Sequence, residues 1–298
     1  MPELPDIVAY QECIERVARG EKLLRVRIYR PFLVRSVSPP ISDFEGKRLM
    51  SVERLGKRLA LAFDGGAFLI IHLMIAGRLH WLSKSPTRPS KTDLACFEFQ
   101  SGSLLLTEAG TKRRASLHAV ADRRTLSEHD RGGIDLLSAG LEEFSAALLA
   151  ENRTLKRALT NPAKFSGVGN AYSDEILFAA RLSPVRLTSS LKPNETLRLY
   201  EAAISTLTHW IEVLRKEFKD RFPGKGDITA FRKDFAVHGR YGKPCLECGM
   251  PIQRIVYAEN ETNYCARCQN EDRVLADRAL SRLLKSDWPR SIEEMASD

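Results

Sequence analysis

Two groups of residues in this chain have the types and spacing to do chemistry. The first is at the N-terminus, where MPELPDI places Pro2 and Glu3 ahead of any fold element. An initiator Met before a small residue such as proline is commonly removed, which leaves Pro2 with a free secondary amine. An α-amino group has a reference pKa of about 7.7 to 8, against about 10.4 for lysine, so an appreciable fraction is unprotonated near neutral pH. Such an amine attacks an aldehyde-like carbon to give an iminium, and a neighbouring carboxyl such as Glu3 can shuttle the protons. The plainer reading is helix geometry: Pro5 suits a first turn, Asp6 its positive end, and Ile7, Tyr10, Ile14 and Val17 recur at helical spacing. That reading accounts for Pro5 and Asp6 and leaves Pro2 and Glu3 unexplained.

The second group is Cys245-Leu246-Glu247-Cys248, then sixteen residues, then Cys265-Ala266-Arg267-Cys268. Two CxxC pairs at this separation supply four thiolates for one tetrahedral Zn2+, and an apolar hairpin such as PIQRIVYA between them brings the pairs together. A disulfide framework is the alternative, and the lack of a signal peptide argues against it. With all four positions filled by protein, the metal is expected to hold the fold and to take no part in catalysis. Cys13 and Cys96 stand alone and read as core residues.

These groups sit in a chain of 298 residues, 43% hydrophobic and 28% charged, enough for two domains with cores of their own. No apolar run approaches the roughly 18 residues of a membrane span; the longest, AFLIIHLMIAGRL, is broken by His72. The expected location is the cytoplasm, with no membrane partner. A net charge of +8 suggests a polyanionic partner, a solvated basic surface being the alternative. Its distribution favours nucleic acid: Arg215 to Lys243 holds nine Lys/Arg against four Asp/Glu, and Lys112, Arg113 and Arg114 form a second cluster.

From Lys22 to about Glu108 the pattern is that of strands: KLLRVRIY, RLALAF, FLIIHLM, and the pair CFEF and LLLTE around a Gly-Ser turn. From Leu141 it changes to helices: LEEFSAALLA, TLKRALT, AYSDEILFAARL and a long one from about Glu195 to Phe218. The segment EHDRGGIDLLSAG reads as the linker. A β domain followed by a helical one makes a cleft into which the N-terminal amine could open.

Taken together, MPELPDI, Gly56-Lys57 between strands, GVGNAYSDEILFAARLSP, HGRYGKPC and the four-cysteine finger resemble, in order through about residue 269, the formamidopyrimidine-DNA glycosylase and endonuclease VIII family of base-excision repair enzymes. The resemblance implies an α+β fold: an N-terminal β-sandwich with a leading helix, a helix-two-turn-helix unit and a zinc-finger hairpin. Expected boundaries are 1–130, 131–240, 241–270 and a C-terminal extension over 271–298. It also implies a bifunctional glycosylase and abasic-site lyase, acting as a monomer on damaged DNA. Pro2 matches the nucleophile that attacks C1′, and Glu3 the acid/base carboxylate. Lys57 matches a lysine that contacts phosphate beside the lesion, its plainer reading being a turn lysine. Asn170 falls where the two-turn element binds phosphate, with glycines at 167 and 169 allowing close approach and a helix starting from Ala171. Glu175 matches a carboxylate near the site, or is an ordinary helix-face glutamate.

Two departures from the family stand out. The arginine that usually lies five residues before the third cysteine is Asn260 here, which lacks the charged bidentate clamp; Arg254 or Arg267 would have to substitute. Of the methionine, arginine and phenylalanine that fill the space left by an extruded nucleotide, Ile75 stands at the methionine position with Met74 adjacent, Arg113 is retained, and Ala115 replaces the phenylalanine. Preference for 8-oxoguanine is therefore not carried over. The tail places Val274, Leu275, Ala279, Leu283 and Leu284 on an amphipathic helix that packs back on the protein or docks a protein partner. The competing function is a protein of the same architecture that binds lesions or distorted DNA without cutting.

Overall fold

The chain enters its first helix as the N-terminal motif predicts. In α1 (Leu4–Ala18) the N-cap is Glu3, Pro5 lies in the first turn, and Asp6 accepts the Glu3 amide at 2.9 Å. The structure is a computed structural model that describes residues 1–110, 112–257, 260–276, 291 and 294, without the side chains of Tyr257 and Asn260. It divides into two units, Met1–Gly132 with His209–Ala230, and Gly133–Thr208 with Phe231–Asp298.

In the first unit eight strands follow α1: β1 (Arg25–Ile28), β2 (Leu49–Leu55), β3 (Arg58–Phe63), β4 (Phe68–His72), β5 (Gly77–Leu82), β6 (Asp93–Glu98), β7 (Ser103–Glu108) and β8 (Ser116–Val120). They form two four-stranded sheets, in the orders β1-β6-β7-β5 and β2-β3-β4-β8, with antiparallel neighbours throughout. Alternation gives each sheet one apolar inner face. Leu59, Leu61, Leu69, Ile71 and Leu117 from one sheet share a core with Leu79, Leu94, Phe97, Leu104 and Leu106 from the other, and Ile7, Tyr10 and Ile14 of α1 join them. Residues 209–230 add Leu214, Phe218 and Ile228 to that core. On the outer face of the second sheet, Ala60, Ala62, Phe68, Ile70 and Val120 lie under Leu126 of α2 (Arg123–Ser127). Asp122 caps α2 by accepting the Thr125 amide at 2.8 Å.

The second unit is helical, with α3 (Leu141–Leu149), α4 (Leu155–Leu159), α5 (Asn170–Ala179) and the residues of α6 (Pro193–Glu217) up to Thr208. Phe144 of α3 anchors it, 5.1 Å from the ring of Phe165 and 5.5 Å from that of Tyr200. Residues 160–169 make successive turns between α4 and α5, with the Lys164 and Phe165 amides both on the Asn161 carbonyl. The hairpin β9 (Gln253–Tyr257) and β10 (Asn260–Tyr264) and the short α7 (Ala266–Asn270) complete it. The architecture is α+β: a β-sandwich with a leading helix, a helix-two-turn-helix unit and a finger hairpin.

Val274 and Leu275 pack against Tyr264 and Ala266, and the Leu275 amide donates to the Tyr264 hydroxyl at 2.7 Å. Val274 and Leu275 lie in no helix, so the amphipathic tail helix expected from the sequence does not include them; Ala279, Leu283 and Leu284 lie outside the described residues. Among the described residues no helix is long and apolar enough to cross a membrane.

Candidate active site and metal centre

Pro2 precedes the N-cap of α1 and is buried, as are Glu3 and Asp6. The helix start fixes this geometry: the Asp6 carboxylate holds the Glu3 amide, and the Glu3 carbonyl accepts the Ile7 amide at 3.0 Å. Burial lowers the basicity of the terminal amine of Met1; Glu3 and Asp6 oppose the shift, whereas Arg78 and Lys57 add to it. In this Met1 form the Pro2 nitrogen is a tertiary amide with no basic lone pair. Only removal of Met1 turns it into an amine.

Lys57 sits on the tight turn between β2 and β3, where Leu55 pairs with Arg58 and Gly56 takes φ 61°. A two-residue hairpin turn needs positive φ at its first position, so glycine there presents the next residue at the tip. Arg78 was not singled out by the sequence. Its Nε donates to the Ile228 carbonyl at 2.7 Å, and its Nη1 to the carbonyls of Ile75 (3.2 Å) and Gly77 (2.7 Å). Arg78 thus ties the Leu73–Gly77 turn to residue 228. That turn closes with the Gly77 amide on the Leu73 carbonyl, holds Met74 at φ 52° and leaves Ile75 half exposed.

Arg113 donates from Nη2 to the Lys91 carbonyl at 2.6 Å. The next two residues are anchored: the amides of Arg114 and Ala115 both donate to the buried Glu108 carboxylate. Ala115 is fully buried, so this loop presents no apolar wedge at that position.

In the second unit, α5 starts at Asn170 with Gly169 as N-cap, and Gly167 at φ 84° shapes the approach. The Asn170 amide group donates to the Glu261 carbonyl of β10 at 2.8 Å. Next to it lies a buried network that the sequence did not reveal. Lys156 Nζ reaches Asp174 Oδ1 at 2.6 Å and the Asn170 carbonyl at 2.5 Å. Asp174 Oδ2 meets His238 Nδ1 at 2.7 Å and accepts the Asn263 amide at 3.1 Å.

Glu175 is a buried anchor and not a helix-face residue open to water. Its Oε2 accepts the Ala236 amide at 2.7 Å, and its Oε1 accepts those of Val237 (3.0 Å) and His238 (2.8 Å). Burial pushes its carboxyl above the usual range despite these three donors.

For the finger, the backbone of Asn260 pairs with Tyr257, while its side chain lies outside the described residues. Of the two candidate substitutes for an arginine there, Arg254 stacks over Tyr241 at 4.3 Å and Arg267 pairs with Asp272 at 2.8 Å.

The four cysteine sulfurs all lie within 4.8 Å of one another. Cys245 and Cys268 are 3.9 Å apart and Cys248 and Cys265 3.4 Å, against the about 3.8 Å expected between thiolates bound at 2.3 Å around tetrahedral zinc. Those distances exceed the about 2.05 Å of a disulfide. Burial pushes Cys265 up to about 11 and Cys268 higher still, whereas at Cys248 the Met250 amide and the other thiols outweigh burial. Four sulfurs packed this closely carry their charges together only around a cation. The donor set fits one structural Zn2+.

Comparison with known proteins agrees with this arrangement. Residues 1–116 match the formamidopyrimidine-DNA glycosylase N-terminal domain, 136–221 the H2TH domain of the same enzymes and 242–270 a zinc finger found in FPG and IleRS. The formamidopyrimidine-DNA glycosylase of Geobacillus kaustophilus is 32% identical over 283 residues, covering 90% of this chain and 100% of its own length. That of Thermus thermophilus is also 32% identical, over 91% of this chain and 99% of its own. The crystal structure of the MutM (Fpg) protein of T. thermophilus superposes with a TM-score of 0.75 at 31% identity, over 90% of this chain and 98% of that one. The Lactococcus lactis enzyme bound to DNA containing an abasic site shares the fold, with a TM-score of 0.77 at 21% identity. The chain belongs to the formamidopyrimidine-DNA glycosylase family.

Proposed function

We propose that this protein is a DNA glycosylase of base-excision repair that is also an abasic-site lyase, with Pro2 as nucleophile. The carrying observation is the buried Pro2-Glu3 pair at the start of α1, a setting in which burial, Arg78 and Lys57 depress the basicity of the Met1 amine next to it. With Met1 removed, the Pro2 nitrogen attacks C1′ of the damaged nucleotide, and the bond to the base breaks. The nitrogen's proton leaves with the expelled base, and Glu3 gives a proton to the sugar O4′ as the ring opens to the iminium. Loss of a C2′ proton then expels the 3′ phosphate by β-elimination, alone or followed by δ-elimination of the 5′ phosphate, and water releases the sugar fragment and regenerates the amine.

Lys57 at its turn supplies a cation for a phosphate beside the lesion. The start of α5, with glycines at 167 and 169, offers a second phosphate site through exposed amides and Asn170. Arg113 and the finger strand around Asn260 are placed on DNA more weakly, since Arg113 already holds a carbonyl. Glu175 acts as a positioning residue for residues 236–238. Zn2+ held by Cys245, Cys248, Cys265 and Cys268 gives the finger its fold. On this reading residues 1–130 carry the chemistry, 131–240 and 241–270 bind DNA, and the protein works in the cytoplasm as a monomer.

Borohydride trapping on an oligonucleotide with an abasic site tests the reading, with an intact-mass check that Met1 is absent. A covalent adduct mapped to Pro2, and lost in Pro2→Gly, is expected. No adduct from processed, zinc-loaded protein that still binds DNA would leave a non-cleaving lesion binder.

A further inference from the structure

One end of the second sheet's outer face differs from the rest. The strand register carries the apolar face of Ala60, Ile70 and Val120 on to Arg58, His72 and Ser116, with His118 opposite Ile70. His129, which follows α2, closes over this end. Its ring lies 4.8 Å from that of His118 in an edge-to-face arrangement, and its carbonyl accepts a hydrogen bond from Arg58 Nη1. Arg35 reaches the same end, because its amide donates to the Leu117 carbonyl at 2.9 Å. Arg58, His72, His118 and His129 all remain partly exposed.

Burial first, and one another's charge second, hold these groups back from carrying charge. Burial lowers Arg58, and Arg131 adds to this against Asp130. Burial, then His129, Arg58 and Arg35, lower His118. Burial and Arg58 lower His129 against Glu128, and His72 falls to about 4 through burial, Arg58, Lys57, Arg131 and His118. Glu128 and Asp130 oppose these shifts without reversing them; the Arg58 hydrogen bond goes to a neutral carbonyl, and Asp130 caps the Gly132 amide at 3.0 Å. A half-buried cluster of mutually repelling cations and imidazoles is what an incoming anion relieves. A phosphodiester suits it, since its oxygens accept charge-assisted hydrogen bonds from a guanidinium and from protonated imidazoles.

We propose that Arg58, His118 and His129 form a further anion subsite that takes a phosphodiester of the DNA backbone adjacent to the one at Lys57. The subsite rests on DNA being the substrate. Binding there draws protons onto His118 and His129, so affinity rises as the pH falls, with His72 and the fixed charges of Arg35, Lys57, Arg131, Glu128 and Asp130 setting the background.

The test uses full-length, zinc-loaded protein without Met1 and a duplex carrying a tetrahydrofuran abasic analogue, which cannot form the iminium. Affinity is measured at about pH 6 and about pH 8, on either side of the free imidazole, over a salt series. Wild type is expected to bind several-fold tighter at the lower pH, and the His118→Gln/His129→Gln double variant to lose most of that gain. Arg58→Gln is expected to flatten the slope of log Kd against log salt by about 0.9, the share of a single neutralised phosphate. A double variant with wild-type thermal midpoint and zinc content whose pH dependence and salt slope are unchanged would mean the cluster only packs the sheet end, and the proposal fails. Inorganic phosphate is the second arm: if it shifts the ring resonances of His118 and His129 while the duplex does not, the site serves free phosphate and the DNA assignment is overturned. Absence of borohydride trapping in wild type would instead strike the lyase reading, leaving this binding measurement intact.

Discussion

Asp174 Oδ2 lies 2.7 Å from His238 Nδ1, while Oδ1 of the same carboxylate lies 2.6 Å from Lys156 Nζ. One fully buried side chain thereby ties α4, α5 and the segment before the finger. Removing a single partner of a buried pair leaves an uncompensated charge and costs about 3–5 kcal/mol. Asp174→Leu is therefore expected to destabilise the protein by that order in urea titrations. The Lys156→Met/Asp174→Leu double variant should recover part of the loss, because no orphaned ammonium remains. Equal losses in single and double variants would show that packing, and not charge pairing, sets the cost.

Glu175 gives a prediction about pH. Its folded-state pKa is raised by burial, so the stability it contributes is fully present below the ordinary glutamate value of about 4.3 and is lost as the pH rises through the folded value. Glu175→Gln removes that dependence and turns an amide donor towards one of the three backbone amides, at a cost of about 1–3 kcal/mol. The stability gap between wild type and variant should widen as the pH is lowered from neutral towards the glutamate value. Parallel pH profiles in urea unfolding would contradict the assignment.

Arg78 lowers the basicity of the Met1 amine by its charge and separately holds the Leu73–Gly77 turn. Arg78→Met removes a cation that depresses the amine, so the acidic limb of the trapping rate against pH is expected to move to higher pH. Arg78→Lys keeps the charge but loses the fork of hydrogen bonds. It should retain the wild-type limb while weakening DNA affinity. A Lys variant whose limb moves as far as that of the Met variant would assign the effect to the turn alone.

The elements legible in the sequence are those whose signals are local. Pro5 and Asp6 mark the start of α1, continuous apolar runs mark strands such as RLALAF, and the two CxxC pairs mark the finger. What was not legible depends on partners far apart in the chain. Asp174 and Glu175 sit side by side on α5, yet their roles come from residues 236–238 and 263. No periodicity reports such pairings. Arg78 was equally invisible, because two of its acceptors are backbone carbonyls in its own turn and the third is 150 residues away. Two adjacent carboxylates in a helix with a buried face were the one available hint, since a charge on that face must find a partner.

The finger offers the most direct test of how far the metal supports the fold. Cys245 and Cys265 are buried with Phe178, Val237 and Ile252, so the sulfurs are part of a small core that cannot close around four repelling thiolates. Structural zinc in finger peptides contributes apparent binding energies of about 10–16 kcal/mol. Metal analysis is expected to return one zinc per chain, and a strong chelator should lower the thermal midpoint and abolish DNA binding. Hydrogen exchange would then show β9 and β10 losing protection while β3 and β4 keep theirs, because the sandwich core is built from other residues. A reductant without chelating groups should leave the zinc-loaded protein unchanged. Unfolding by that reductant, with no zinc found, would restore the disulfide reading of the same four cysteines.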